Sequence, residues 1–280
     1  MNPAPLNKLL LVTDAEASAQ WPERFRSMEM QAEDRPSASR NSPVFNPAGL
    51  NRLRASGSGQ FSLCGLRCIK RQFSACSLYV IDLREESHGF VGGSAISWRG
   101  SYNGANRGLT ETAIAEEEAR LLRELAVHNP QHHGTTAAVV SEEQAVRQEK
   151  AEYIRFFVTD RHRPQDETVD RFVRFVLSLP DDVWLHFHCL GGSGRTTTFL
   201  LMYDMLHNAG EVSLNDILLR QNVLGGRDMF AIDSTNPFLH QAGLERLRFI
   251  QAFYDYCKEA SPGQFLLDWS VWRNGRTMAR

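Results

Sequence analysis

Lysine is nearly absent from this chain. Only Lys8, Lys70, Lys150 and Lys258 occur in 280 residues, and 31 Lys plus Arg less these four leaves 27 arginines. Its basic groups are therefore guanidinium forks, which suit phosphate or carboxylate oxygens, unless the bias is merely that of the source genome. An excess of either charge is also missing. With 33 Asp plus Glu the formal charge is −2, which removes the basic field of a nucleic-acid binder, so neither DNA nor RNA is an expected partner. Long apolar runs are missing too: the best stretches, such as residues 199–202, fall far below the roughly 20 residues that cross a bilayer. No membrane span is expected. Residues 9–12 are too short for a signal-peptide core, although Ala17-Ser18-Ala19 has the look of a cleavage box. A cytoplasmic location is the default, with delivery by a specialised secretion system left open.

Cysteine is limited to Cys64, Cys68, Cys76, Cys189 and Cys257. There is no CxxC pair and no even framework, so a disulfide scaffold and a structural zinc site lack support and a reducing compartment is expected. Cys64 and Cys68 share a helix face with no nearby histidine and read as small buried hydrophobes. The remainder, 42% hydrophobic and 23% charged, is the composition of a globular chain. Its length suits one decorated domain.

Residues 1–60 are rich in Pro, Ser, Asn and Arg and read as loops and short strands wrapped over that domain. Residues 78–83 form a β-prone run followed by Gly89, Gly92 and Gly93, which predicts a buried strand ending in an irregular loop. Across 110–127, Ile114, Leu121, Leu122 and Leu125 make one helical stripe, leaving Glu116, Glu117, Glu118 and Arg120 as a solvated face. Residues 129–136, with His132-His133, read as a solvated loop, and Ser141-Glu142-Glu143-Gln144 as a capping box. A strand at 153–158, a helix at 166–179 with Val169, Phe172, Val173 and Val176 inward, a strand at 183–187 and a helix at 196–208 follow. That alternation predicts an α/β fold. Ser213-Leu214-Asn215-Asp216 is a second capping box, and Leu244, Leu247, Ile250, Phe253 and Cys257 mark a last helix over 242–258. No internal repeat is present.

Between the second strand and its helix lies His186-Phe187-His188-Cys189-Leu190-Gly191-Gly192-Ser193-Gly194-Arg195-Thr196-Thr197-Thr198: a cysteine, five residues, an arginine. Gly191, Gly192 and Gly194 let the backbone curl so that N–H groups point at one centre, a nest for a tetrahedral oxyanion at a helix N-terminus. Arg195 can clamp two phosphate oxygens, and the same donors favour a nucleophilic thiolate on Cys189, to which the Thr196 hydroxyl can donate. A nucleoside-triphosphate loop would need Gly at 189 and Lys at 195. Metal ligation by His186 and His188 with Cys189 fails on strand alternation, which sends residue 189 to the other face; a histidine before the nucleophile reads more simply as a loop-bracing donor. An inert Gly-rich turn leaves Arg195 unexplained. A cysteine phosphatase also needs an acid for its leaving oxygen. Asp160 is the best candidate, in a loop whose Pro164 and helix-opening Asp166 suggest a defined, movable lid.

At this point Arg24-Phe25-Arg26, the run 56–61 (Ser-Gly-Ser-Gly-Gln-Phe), the run 82–90 that opens Asp82-Leu83-Arg84-Glu85-Glu86, Thr159-Asp160, the Cys189 loop, Tyr203-Asp204-Met205 and Arg220-Gln221 together resemble the bacterial protein-tyrosine-phosphatase-like phytases over nearly the whole chain. The resemblance implies a single tyrosine-phosphatase-like domain over 1–280, a central sheet flanked by helices, with a small partial-barrel elaboration at approximately 92–140. It implies hydrolysis of inositol phosphates without metal or cofactor, through a phosphocysteine, with Cys189 as nucleophile, Arg195 as clamp, Asp160 as acid, and Arg26 and Asp82 in the pocket wall. Four departures stand out. Arg161 replaces the usual histidine after the acid, and Leu190 the frequent glutamate after the nucleophile. The excursion before Ser141 is short and lysine-free, and the C-terminal helix begins with only His240, Arg246 and Arg248 where relatives are lysine-rich. The candidate substrate-binding residues are therefore Leu190, Gly191, Gly192, Ser193, Gly194, Arg26, Asp82, Arg161 and Arg246. A myo-inositol polyphosphate is the expected substrate. Phosphotyrosine protein is the alternative, as is a delivered effector that binds host phosphoproteins.

Overall fold

The computed structural model describes residues 9–29, 45–128, 138–259 and 267–278. In chain order the elements are β1 (Leu10–Ala15), β2 (Arg26–Ser27), β3 (Ala55–Ser58), α1 (Leu63–Gln72), β4 (Ser77–Asp82), β5 (His88–Val91) and β6 (Ser94–Arg99). Then come α2 (Glu111–His128), β7 (Val139–Val140), α3 (Glu142–Gln148), β8 (Glu152–Arg155), α4 (Asp166–Leu177) and β9 (Val183–His188). The chain closes with α5 (Gly194–Asn208), α6 (Leu214–Val223), α7 (Pro237–Glu259) and α8 (Trp269–Met278).

The main sheet has the order β2-β3-β9-β4-β8, parallel throughout except for the β2 edge, and an antiparallel sheet has the order β1-β6-β5-β7. This is the α/β architecture the alternation predicts. Every residue of β9 is buried, as a central parallel strand with both faces covered requires. Leu185 and Phe187 join the core beneath α4, α5 and α7, while Trp184 joins the second core, which includes α1 residues Leu66 and Ile69.

Several sequence expectations need correction. Ala55–Ser58, expected among the loops and short strands wrapped over the domain, is a short strand, but a fully buried one inside the main sheet, paired with β9. It lacks the branched side chains that mark strands. Its Gly57 admits α5 instead: a Cβ there would stand 2.7 Å from Thr196 Cγ2 and 2.8 Å from Leu200 Cδ1. The irregular loop expected after residue 83 is the β5–β6 hairpin, turned by Gly92 and Gly93 at φ 59° and 90°, the left-handed pair that suits a two-residue hairpin.

Glu118 is not solvated. It is buried, and its carboxylate takes two bonds of 3.0 Å from Arg155 and one of 2.9 Å from the His88 N–H. Regular pairing in β8 ends at Arg155, three residues before the expected end. α7 starts five residues early, where Asn236 Oδ1 accepts from the Phe238 and Leu239 N–H groups. Ser141 and Gln144 form the expected capping box. Ser213 caps α6, but the Asp216 carboxylate turns to the Ser213 hydroxyl and the Asn46 N–H. Cys64 and Cys68 are only half-buried. Residues 129–136 with their histidines lie outside the described residues. Among the described residues no helix is long and apolar enough to cross a membrane.

Candidate active site

Because β3, β9, β4 and β8 run parallel, their C-terminal ends deliver four segments to one edge of the sheet, the usual place for a ligand in such folds. The segment after β9 carries Cys189 and enters α5. Three successive carbonyls of this loop are gripped from behind. Leu190 O accepts from the Gln60 N–H at 3.0 Å, Gly191 O from Arg24 Nη1 at 2.7 Å, and Gly192 O from Arg26 Nη1 at 2.9 Å. In a planar trans peptide the next N–H points opposite to the carbonyl. The amides of Gly191, Gly192 and Ser193 are thereby turned inward. Gly192 lies at φ 65°, and a Cβ there would sit 2.3 Å from the Gly59 nitrogen, so only glycine fits.

Cys189 is buried, and the Thr196 hydroxyl reaches its Sγ at 3.1 Å at the N-terminus of α5, where the helix dipole favours negative charge. Arg195 is clasped through Nη1 and Nη2 by Glu86 at 2.6 and 3.0 Å, and Nη1 also donates to the Val158 carbonyl at 3.1 Å. Its Nε has no partner among the described residues. Burial alone would raise the Glu86 carboxyl, but the guanidinium groups of Arg195 and Arg84 outweigh it and hold Glu86 well below the ordinary carboxylate range. The Arg195 guanidinium is thus held in place by a carboxylate.

Asp160 is partly exposed, with Oδ1 3.3 Å from Arg195 Nη2 and accepting the Arg161 N–H at 3.0 Å. Its loop is clipped by Thr159 Oγ1 to Glu85 at 3.0 Å, and the His162 ring packs 5.5 Å from Phe238, itself 5.3 Å from Tyr102. Asp160, Arg161, Cys189, Leu190, Gly191, Ser193, Gly194 and Arg246 line a cavity of about 360 Å3. Arg227, Ile232, Asp233, Leu239 and Gly243 complete it. Arg246 is buried, its Nε has no partner among the described residues, and burial followed by the charge of Arg227 lowers it to about 10.

Two expected wall residues lie elsewhere. Arg26 stands behind the loop, bonded to Gly192 O and, at 3.0 Å, to Thr197 Oγ1. Asp82 shares the parity of Val80, and in β4 that side faces the second core. There it accepts from the Tyr153 hydroxyl at 2.7 Å and lies 3.0 Å from Arg155 Nε and 3.2 Å from His88 Nε2. Gly192 serves the nest from behind the lining. His188 does not brace the loop: its Nε2 lies 2.6 Å from Glu142. His186 sits between Ser56 and Ser58 at 2.9 and 3.0 Å, neutral because burial, then His188 and Arg26, push it well below 6.5.

Asp82, His88 and Glu142 place ligand-type atoms within 4.8 Å of one another. Burial opposes charge on His88, but Asp82 outweighs it and the imidazole is pushed up to about 10. As imidazolium at neutral pH it would have to give up its proton before it could ligate a cation. Glu86, Arg227 and Asp233 escape the sequence reading. Glu86 is within reach as part of the run opening at Asp82, and Gly225-Gly226 before Arg227 marks a tight turn. Asp233 carries no such signal.

The model of the family described as PTP-like phytase, inositol hexakisphosphate, matches residues 111–207. A PTP-like phytase structure from Bdellovibrio bacteriovorus has a TM-score of 0.79 at 32% identity, covering 97% of both chains. This chain belongs to the PTP-like phytases. Within that family it is also similar to the PTP-like myo-inositol phosphatase of Mitsuokella multacida, solved in complex with myo-inositol-(1,3,4,5)-tetrakisphosphate, with a TM-score of 0.87 at 32% identity over 99% of this chain. The effector protein hopD2 of Pseudomonas syringae pv. tomato is 34% identical over 252 residues, 80% of this chain. The chain spans about half the length of these last two relatives, 49% and 52% respectively.

Proposed function

We propose that this chain is a cysteine phosphatase that releases phosphate from myo-inositol polyphosphates without a metal. The observation that carries the reading is the Cys189 loop with three successive carbonyls held by Gln60, Arg24 and Arg26, which turns the following amides the opposite way, and with an arginine that Glu86 already holds in place. In the first step the Cys189 thiolate attacks phosphorus, the ester P–O bond breaks, and Asp160 in its acid form gives its proton to the leaving oxygen. The inward amides and Arg195 take up the charge on the equatorial oxygens. In the second step the Asp160 carboxylate removes a proton from water, the oxygen bonds to phosphorus and the S–P bond breaks. The returning thiolate is met by the Thr196 hydroxyl.

Substrate class follows from the walls. Arg161, Arg227 and Arg246 line the cavity outside the loop, enough positive charge to meet phosphates beyond the one being cleaved. The structure of a relative with an inositol tetrakisphosphate supports the same class. A second reading, phosphotyrosine, is favoured by Leu190, Ile232 and Leu239 in the same lining, where an aryl group would pack. The similarity to an effector protein supports delivery out of the producing cell as the setting for either. We further take the antiparallel sheet with α2 as the partial-barrel elaboration of a single domain.

The test is phosphate release from inositol hexakisphosphate beside a phosphotyrosine peptide, both with chelator present. Faster release from the hexakisphosphate is expected. A preference for the peptide would replace the first reading by the second, and loss of turnover on chelation would overturn the metal-free mechanism.

A further inference from the structure

Arg26 is a buried cation without a carboxylate of its own. No described carboxylate lies within ion-pair distance of its guanidinium, and its hydrogen bonds all go to neutral acceptors. Nη1 donates to the Arg24 and Gly192 carbonyls at 3.1 and 2.9 Å, and Nη2 to Thr197 Oγ1 at 3.0 Å. An uncompensated buried charge is strongly unfavourable. Burial lowers this guanidinium to about 10, the Cys189 sulfur acts against that, and Arg24 reinforces it. The loop that Arg26 braces through Gly192 is the one that carries the Cys189 sulfur.

Thr197 makes a junction of the same contact. Its Oγ1 also accepts the Arg227 N–H at 3.0 Å, and Gly226 lies so near that a Cβ on it would stand 3.1 Å from Thr197 Cγ2. One guanidinium therefore ties together the Gly192 peptide, the first turn of α5 and the segment that presents Arg227 to the cavity. Arg26 itself does not line that cavity.

We propose that Arg26 is a positioning residue of the phosphatase reaction: it holds the Gly192 peptide and the Thr197–Arg227 junction from behind, without touching substrate. This rests on the phosphatase reading above. The effect of Arg26 on the reactivity of the sulfur in the loop it braces is also measurable without turnover.

Wild type, Arg26→Gln and Arg26→Lys are compared in two ways. The rate at which iodoacetamide alkylates Cys189 at neutral pH is followed by peptide mass spectrometry. kcat and KM are measured for para-nitrophenyl phosphate and for inositol hexakisphosphate. Arg26→Gln is expected to slow alkylation and to lower kcat on both substrates, each roughly 10- to 100-fold. KM for the aryl ester should move less than about threefold, because no substrate contact is removed. Arg26→Lys, which keeps the charge and loses the fork, should alkylate within about threefold of wild type with an intermediate kcat. A higher KM for the aryl ester at unchanged kcat, or wild-type alkylation in Arg26→Gln, overturns the proposal. If Arg26→Gln does not fold, Arg26→Lys decides alone: retained alkylation with lowered kcat supports the role, and any other combination overturns it. Slowed alkylation in Arg26→Gln beside a wild type that releases no phosphate would overturn the phosphatase reading while supporting the effect of Arg26 on the sulfur.

Discussion

Cys189, Thr196 and Arg195 come from eight consecutive residues, and their geometry follows from one tight loop, which is why they are legible in the amino-acid sequence itself. Replacing Cys189 by serine leaves the fold but removes the thiolate, and turnover is expected to drop below about a thousandth of wild type in a phosphate-release assay. Thermal unfolding should be nearly unmoved; a loss of both would point to a structural cysteine. Asp160 is legible from its place after the strand at β8, but its role needs a chemical readout. Asp160→Asn is expected to slow alkyl phosphates such as inositol phosphates by roughly 10²- to 10⁴-fold and aryl phosphates far less, since aryl leaving groups need little protonation. Equal losses on both would make Asp160 a cap rather than an acid. Arg246 and Arg227 reach the cavity only through the packing of α7 and of the segment after α6, which no local spacing reports. With Arg161 they stand outside the nest, so Arg161→Ala and Arg227→Ala should each raise KM for inositol hexakisphosphate about tenfold and leave para-nitrophenyl phosphate nearly unchanged.

At the scale of elements, the helices and the apolar strands are readable because periodicity and caps are local properties. Ile114 and Leu121 mark α2, Ser141 and Gln144 open α3, and the run 183–187 lies within β9. β3 is not readable. Its Ala-Ser-Gly-Ser sequence is set by what packs on it, α5 pressing on Gly57, rather than by strand propensity. Parity misleads in the same way: Asp82 belongs to a recognisable motif, yet its place on the strand sends it to the second core, where it anchors Tyr153, His88 and Arg155. The element on which most depends is the turn from β9 into α5. Gly192→Ala adds left-handed strain of about 1–3 kcal/mol, and its Cβ falls on the backbone of Ser58 and Gly59. It should lower the thermal midpoint and abolish turnover together. An active, fully stable Gly192→Ala protein would mean that the loop does not need this conformation.

Across the whole molecule the two sheets are joined by buried charge. Arg84 links Asp14 of β1, Gln60 and Glu86, and Glu86 holds Arg195, so Arg195 is one hydrogen bond from a network that reaches the antiparallel sheet. This network sets a stability window in pH. His88 is raised from 6.5 to about 10, chiefly because Asp82 overcomes its burial, so its contribution is complete below 6.5 and is lost as pH rises through about 10. Burial would raise Glu142, but His188 and His88 outweigh it and depress it from 4.5 to about 2, so its contribution is complete above 4.5 and is lost as pH falls from there through about 2. The thermal midpoint should therefore be highest between these limits and decline on both sides. A midpoint that stays flat from pH 6.5 to 10 would contradict a charged His88. Turnover of polyphosphates should also fall with added salt, because Arg161 and Arg227 meet their phosphates at the exposed mouth.

The most direct measurement is where the phosphoryl group goes. Enzyme turning over phosphorus-labelled inositol hexakisphosphate in the presence of chelator is stopped by rapid quench and digested, and its peptides are read for label. A phosphoryl group on Cys189 is expected, accumulating further in Asp160→Asn with an aryl phosphate, where the second step is slowed more than the first. Steady release of phosphate with no label on Cys189, or with the label on another residue, would contradict the mechanism.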